Sequence, residues 1–95
     1  MGTFHQDKSS LHGITLVVET VQGDAIVGRC DDENEREVIL LDADIHRAAD
    51  EMSRSEYLQR ADQFGVWPKH SRVLIRRSDV ARQWPLAQTD AGSES

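Results

Sequence analysis

Ninety-five residues carrying a formal net charge of −6 and a single cysteine make one small domain at most. That composition excludes an intrachain disulfide, a four-cysteine zinc site and a dithiol redox pair. No apolar run approaches the roughly 18 residues of a membrane span, and the acidity disfavours non-specific binding to nucleic acid.

Residues 1–10 and 88–95 are polar and rich in small side chains, and both stretches are expected to be disordered tails around a domain at 11–87. The first ten residues lack the hydrophobic stretch of a signal peptide, so a cytoplasmic location is expected, with no membrane association. The first strand is clear. Ile14, Leu16 and Val18 alternate with Thr15, Val17 and Glu19, and β-branched residues dominate. Gln22, Gly23 and Asp24 supply turn chemistry before residues 25–30 resume an extended pattern, giving a hairpin. Gly28 inside that second strand marks a bend or a close backbone approach. Cys30 reads as a small buried filler.

Residues 31–35, Asp-Asp-Glu-Asn-Glu, are expected to form a solvated acidic loop; they lack the alternating ligands, mid-loop glycine and terminal glutamate of a calcium-binding EF-hand loop. A third apolar strand follows over residues 36–43. Ser53 then stands three residues before Glu56, a capping-box spacing, and Tyr57, Leu58, Ala61 and Phe64 fall at helical intervals, predicting one helix at about 53–64 within an insertion at about 45–70. Gly65 serves as its C-cap and Pro68 prevents continuation. Residues 72–86 read as two short strands joined by a polar turn at Ser78 and Asp79, with Val73 and Ile75 on one face of the first, and Val80, Arg82, Trp84 and Leu86 on one face of the second. Five short strands and one inserted helix argue for a mainly β, strongly bent small barrel or compact sandwich.

No catalytic motif is present, so the chain reads as a non-enzymatic binding or scaffolding module without a cofactor. The nearest approach to chemistry is Asp42, Asp44 and His46. In a regular strand these share one face, and two carboxylates with an imidazole can hold a divalent metal that activates water, which would make the chain a metal-dependent hydrolase. The competing reading is the polar, solvent-facing end of the third strand. Lys69, Arg72, Arg76, Arg77 and Arg82 gather in a segment whose only acid is Asp79. They suit either a phosphate backbone, with Trp67, Tyr57 or His70 as a stacking surface, or contacts between subunits.

The run Val73, Leu74, Ile75, Arg76, Arg77, Ser78, Asp79, Val80 resembles the second motif of the Sm and Sm-like (LSm) proteins, an aliphatic strand ending in Ile-Arg-Gly before a short turn. Gly23, Gly28 and Val38-Ile39-Leu40-Leu41-Asp42-Ala43 resemble the first motif. The likeness spans about residues 13–86 and extends to short bacterial and phage Sm-like proteins with a helical insertion between strands three and four. It implies an all-β, five-stranded Sm-like (SH3-like) barrel that joins copies of itself into a cyclic homo-oligomer, strand four of one subunit pairing with strand five of the next. The seam would then hold Val73, Ile75, Val80, Arg82 and Trp84. It also implies single-stranded RNA as ligand, with Arg76 first among the contacts and Arg77 and His70 behind it. Glu37 occupies the position of the family's base-contacting asparagine, and Arg77 that of its glycine. A protein partner through the inserted helix, or a ring with no nucleic-acid role, are the other outcomes.

Overall fold

The computed structural model describes residues 12–88. Five antiparallel strands, β1 (Thr15–Thr20), β2 (Ala25–Glu33), β3 (Glu37–His46), β4 (His70–Arg76) and β5 (Val80–Pro85), form one sheet in the order β4-β3-β2-β1-β5. The helix α1 (Arg54–Phe64) lies between β3 and β4, and 3₁₀ turns occupy Arg77–Asp79 and Leu86–Gln88. The mainly β architecture with one helix inserted after the third strand is thus as read from the sequence. The expected tails fall outside the described residues, apart from Gln88, which ends the second 3₁₀ turn.

Two consequences follow from that strand order. Strands β4 and β5 are consecutive in the chain yet occupy opposite edges of the sheet, and only the three residues Arg77–Asp79 join them. A flat five-stranded sheet would hold its edge strands ~19 Å apart at the usual interstrand spacing. A 3₁₀ turn with a rise of ~2 Å per residue cannot span that distance, so the sheet is strongly curled. The Val21 N–H donates to the Asp79 carbonyl at 2.9 Å, tying the connection to the β1–β2 turn.

The curl is made at irregular positions. In β3, Asp42 has φ of 51°, and residues 42 and 43 stand opposite Gly28 alone, between the pairs Arg29↔Leu41 and Val27↔Asp44. This extra residue shifts the alternation of β3, so that Val38, Leu40, Ala43 and Ile45 all meet the inner core. Gly28 is required opposite it. A Cβ there would lie 2.8 Å from the Ala43 Cβ and 3.0 Å from the Leu41 carbonyl oxygen. Further register shifts fall between Cys30 and Asp32 and between Glu19 and Thr20.

Inside the curl, Leu16, Val18, Ile26, Cys30, Val38, Leu40, Ala43 and Ile75 form one core, with Val73 and Val80 from the two edge strands packed against it. The opposite face carries a second core. Val17, Ala25 and Val27 are covered by Leu58 and Ala61 of α1 and by Leu86, with Tyr57, Val66 and Trp84 at its margin. This explains why β1 holds three consecutive buried residues, Leu16, Val17 and Val18, where a half-exposed strand would alternate.

The helix begins as predicted: the Ser53 side chain accepts from the Glu56 N–H at 3.1 Å, and Gly65, with φ of 92°, donates its N–H to the Ala61 carbonyl. The Glu56 carboxylate lies 3.3 Å from Arg60, one turn along the helix.

Three expectations are corrected. Residues 31–33 are not loop but the end of β2, held in the ladder by Asp32↔Ile39 and Glu33↔Val38, because an arginine from the far turn offsets the charge of Glu33. Phe64 is not on the buried side of α1 and is 81% exposed; Val66, past the cap, covers the second core instead. Val80 does not share a face with Arg82 and Trp84, since the shift at Glu19/Thr20 leaves Ala81 as an extra residue in β5, putting Val80 in the inner core and Trp84 in the outer.

Candidate assembly edges and ligand surface

Of the residues read as a seam, Ile75 is buried, Val73 and Val80 are half-buried in the inner core, Trp84 is half-buried in the outer core and Arg82 is exposed. They lie on the two strands that carry the sheet's edges. Beside β4 runs a cleft of ≈ 190 Å³ between that edge and the β1–β2 turn, lined by Thr20, Val21, Ile26, Val73, Leu74 and Asp79 among others. Val21 and Leu74 in its walls are exposed apolar side chains.

Arg82 has an intrachain role. It donates through Nε to Glu19 Oε1 at 2.8 Å, across the β1–β5 pair, and its guanidinium sits 5.0 Å from the Trp84 ring centroid. The other Glu19 oxygen accepts from Arg54 at the start of α1. One carboxylate therefore joins the helix to two strands. The sequence offered no signal for this, because residues 19, 54 and 82 are brought together only by the sheet order.

Arg77 is similarly engaged. Its Nε donates to the Asn34 carbonyl at 2.7 Å, while its two terminal nitrogens reach Gln83 Oε1 and Glu33 Oε1, each at 2.8 Å. Gln83 donates to the same Glu33 oxygen at 2.8 Å, and the Arg77 N–H donates to the Arg36 carbonyl at 2.9 Å. Asn34 shapes the β2–β3 turn by accepting from the N–H groups of Arg36 and Glu37. The side chain thus clasps the β2–β3 and β4–β5 turns together. Arg76 and His70, the other two residues assigned to RNA, are exposed on β4.

The candidate metal face is not assembled. Asp42 is exposed and bonds Arg29 at 2.7 Å, while Asp44 and His46 are buried at 8% and 5% exposure, facing α1. The positive φ at Asp42 is the physical reason: it breaks the alternation on which the shared face depended. The competing reading, a solvent-facing strand end, is corrected too. Among the described residues, no three His, Cys, Asp or Glu side chains form a metal-holding group.

Asp44 and His46 instead dock the helix. The Tyr57 hydroxyl donates to Asp44 Oδ2 at 3.0 Å, and its ring stacks on His46 with centroids 5.0 Å apart. Asp44 Oδ1 accepts from the Ile45 N–H, and His46 Nε2–H donates to the Met52 carbonyl at 2.5 Å. Burial, then the hydrogen bond to Asp44 and its negative charge, hold the Tyr57 phenol well above its usual range.

Since the folded-state pKa exceeds the unfolded one, the stability this supplies is complete below the ordinary tyrosine value of about 10 and is lost as pH rises toward the folded value. Tyr57 is the only tyrosine, so tyrosinate absorbance reads this group alone. It is expected to appear together with loss of far-ultraviolet circular dichroism on alkaline titration. A free phenol titrating near ~10 with the fold intact would contradict the docking geometry.

Among the described residues, two large aromatic side chains remain at the surface, Phe64 at 81% and Trp67 at 75% exposure, on either side of the Gly65 cap. No helix among the described residues is long and apolar enough to cross a membrane. A scan against protein-family models gives no match, and a search of curated proteins gives none either.

Proposed function

We propose that this chain is a Sm-like barrel subunit that assembles with copies of itself edge to edge, β4 of one against β5 of the next, as a non-enzymatic binding module whose ligand is single-stranded RNA. The observation that carries the reading is the strand order. Consecutive strands stand at opposite edges of a curled sheet and are joined by three residues, which leaves two unpaired edges close together in every subunit. Exposed edges of this kind are usually paired or covered in a stable protein. The cleft beside β4, whose walls mix apolar side chains such as Val21 and Leu74 with polar ones such as Thr20 and Asp79, gives an incoming strand a surface for its side chains. A heterologous contact between two different edges closes into a ring when the rotation permits.

Sedimentation equilibrium tests the assembly. One discrete oligomer is expected at micromolar concentration, and Leu74→Asp, at a half-exposed position lining the cleft, is expected to yield monomer with its circular dichroism retained. A wild-type chain that stays monomeric at tens of micromolar would overturn the reading.

On the ligand, Arg76 and His70 are exposed on β4, while Arg77, just past the end of that strand, braces the turns. Fluorescence anisotropy with short U-rich and A-rich RNA at low salt is the direct measurement, and flat titrations would remove RNA. A second reading, a ring that binds protein or only itself, is favoured by Glu37 at the asparagine position and by the full engagement of Arg77 within the subunit. Arg76→Glu separates the two: loss of assembly supports this second reading, and loss of RNA binding with the oligomer intact supports the first.

A further inference from the structure

We infer that the connection from α1 into β4, centred on Trp67, is a stacking platform for a single-stranded polynucleotide. The inference rests on the RNA reading above and places the ligand away from the turn clasped by Arg77. Its first support is exposure. Among the described residues, Phe64 and Trp67 are the two most exposed of the large hydrophobic side chains, ahead of Val21, Leu74 and Ile14, and they flank the bend at Gly65.

The second support is charge. Among the described residues, Arg29, Arg47, Arg54, Arg60, Arg77 and Arg82 each have a carboxylate partner. Arg36, Lys69, Arg72 and Arg76 have none among the described residues; all four are exposed, and the last three lie together in the chain from the α1–β4 connection through β4. No acid occurs in sequence between Asp62 and Asp79, and of these three cations only Arg76 has an acid, Glu37, opposite it in the β3–β4 ladder. Arg72 and Arg76 project from the same face of β4, about 13 Å apart by strand geometry.

Each nucleotide of a single strand offers one planar base and one phosphate, which is the pairing that an exposed indole beside unpaired cations accepts. An acidic polypeptide would use the cations and leave the aromatic faces without a partner. Pro68 restricts the backbone beside Trp67 and lowers the entropy lost on ordering it.

The test uses the full chain with a labelled oligouridine at low salt, alongside DNA of matching length, a duplex and poly-glutamate. The expected result is quenching of tryptophan fluorescence by the single strands. Trp67→Ala, at a surface position, is expected to weaken binding about tenfold or more with circular dichroism unchanged. Three phosphate contacts give a log–log salt slope of about −2, and Lys69→Glu with Arg72→Glu should flatten it. Oligonucleotide binding that Trp67→Ala leaves intact would overturn the platform while sparing the RNA reading. Failure of every oligonucleotide to bind the wild-type chain would remove both. Tight binding of poly-glutamate alone would assign the surface to an acidic polypeptide and overturn the inference.

Discussion

Gly28→Val is expected to destabilise the fold by about 3 kcal/mol or more, at the upper end of what overpacking a core costs. The first added atom already lies 2.8 Å from the Ala43 Cβ and 3.0 Å from the Leu41 carbonyl oxygen, and valine adds two methyls beyond it. Neither neighbour is the far end of a flexible chain. Ala43 follows the positive-φ residue Asp42 and is itself fully buried, so relief requires moving the β3 backbone and undoing the shift that sends Ala43 and Ile45 to the inner core. For a domain of this size, about 3 kcal/mol corresponds to a fall in Tm of roughly 15 °C, measurable by thermal or urea unfolding. An unchanged midpoint would mean that β2 and β3 do not approach as described. The milder Gly28→Ala meets the same 2.8 Å contact and is expected to lie between wild type and valine.

Leu58→Ala is expected to cost about 3 kcal/mol through the second core, within the 2–5 kcal/mol spanned by truncations of this kind. Leu58 is 4% exposed and is, with Ala61, one of the two buried residues of α1. It packs in the cluster with Val17, Val27 and Leu86, the face that α1 covers together with Leu86. The polar links at Glu19, Asp44 and His46 orient the helix without replacing that apolar area. A urea midpoint shift with unchanged m-value is the expected signature of a cavity in an otherwise intact fold. A reduced m-value would instead report that the helix has left the sheet in the native state. Truncation of Phe64, also on α1 but exposed, should leave the midpoint within about 0.5 kcal/mol of wild type.

The elements were legible because their local chemistry is unambiguous. The β-branched run of β1, the turn at Gly23, the Ser53 cap and the Gly65 stop each act over a few residues, and each stands where the sequence places it. What escaped the sequence depends on a single inserted residue or on partners far along the chain. Asp42 looks like any other residue of a regular strand, yet its φ decides whether Asp44 and His46 face the core or the helix. The run of acids at 31–33 reads as solvated until Arg77 arrives from a turn 44 residues after Glu33. Phe64 sits at helical spacing from Ala61, but two buried positions suffice to seat a helix this short and the aromatic ring stays outside. The arginines were legible as a group and not as individuals. Arg77 and Arg82 hold the fold together, while Lys69, Arg72 and Arg76 make no ion pair among the described residues.

The turn Arg77–Asp79 has a consequence for how such a chain could be redesigned. Because it alone carries the backbone from one edge of the sheet to the other, its length acts as a gauge for the distance between those edges. Each residue inserted there would slacken the curl and displace the Asp79 carbonyl that accepts from the Val21 N–H. A partner strand sized to the present gap would then meet a different one. The width of the opening is therefore written in a three-residue connection, and under the proposed edge-to-edge assembly an insertion of one or two residues there is a means of retuning the contact without altering the strands.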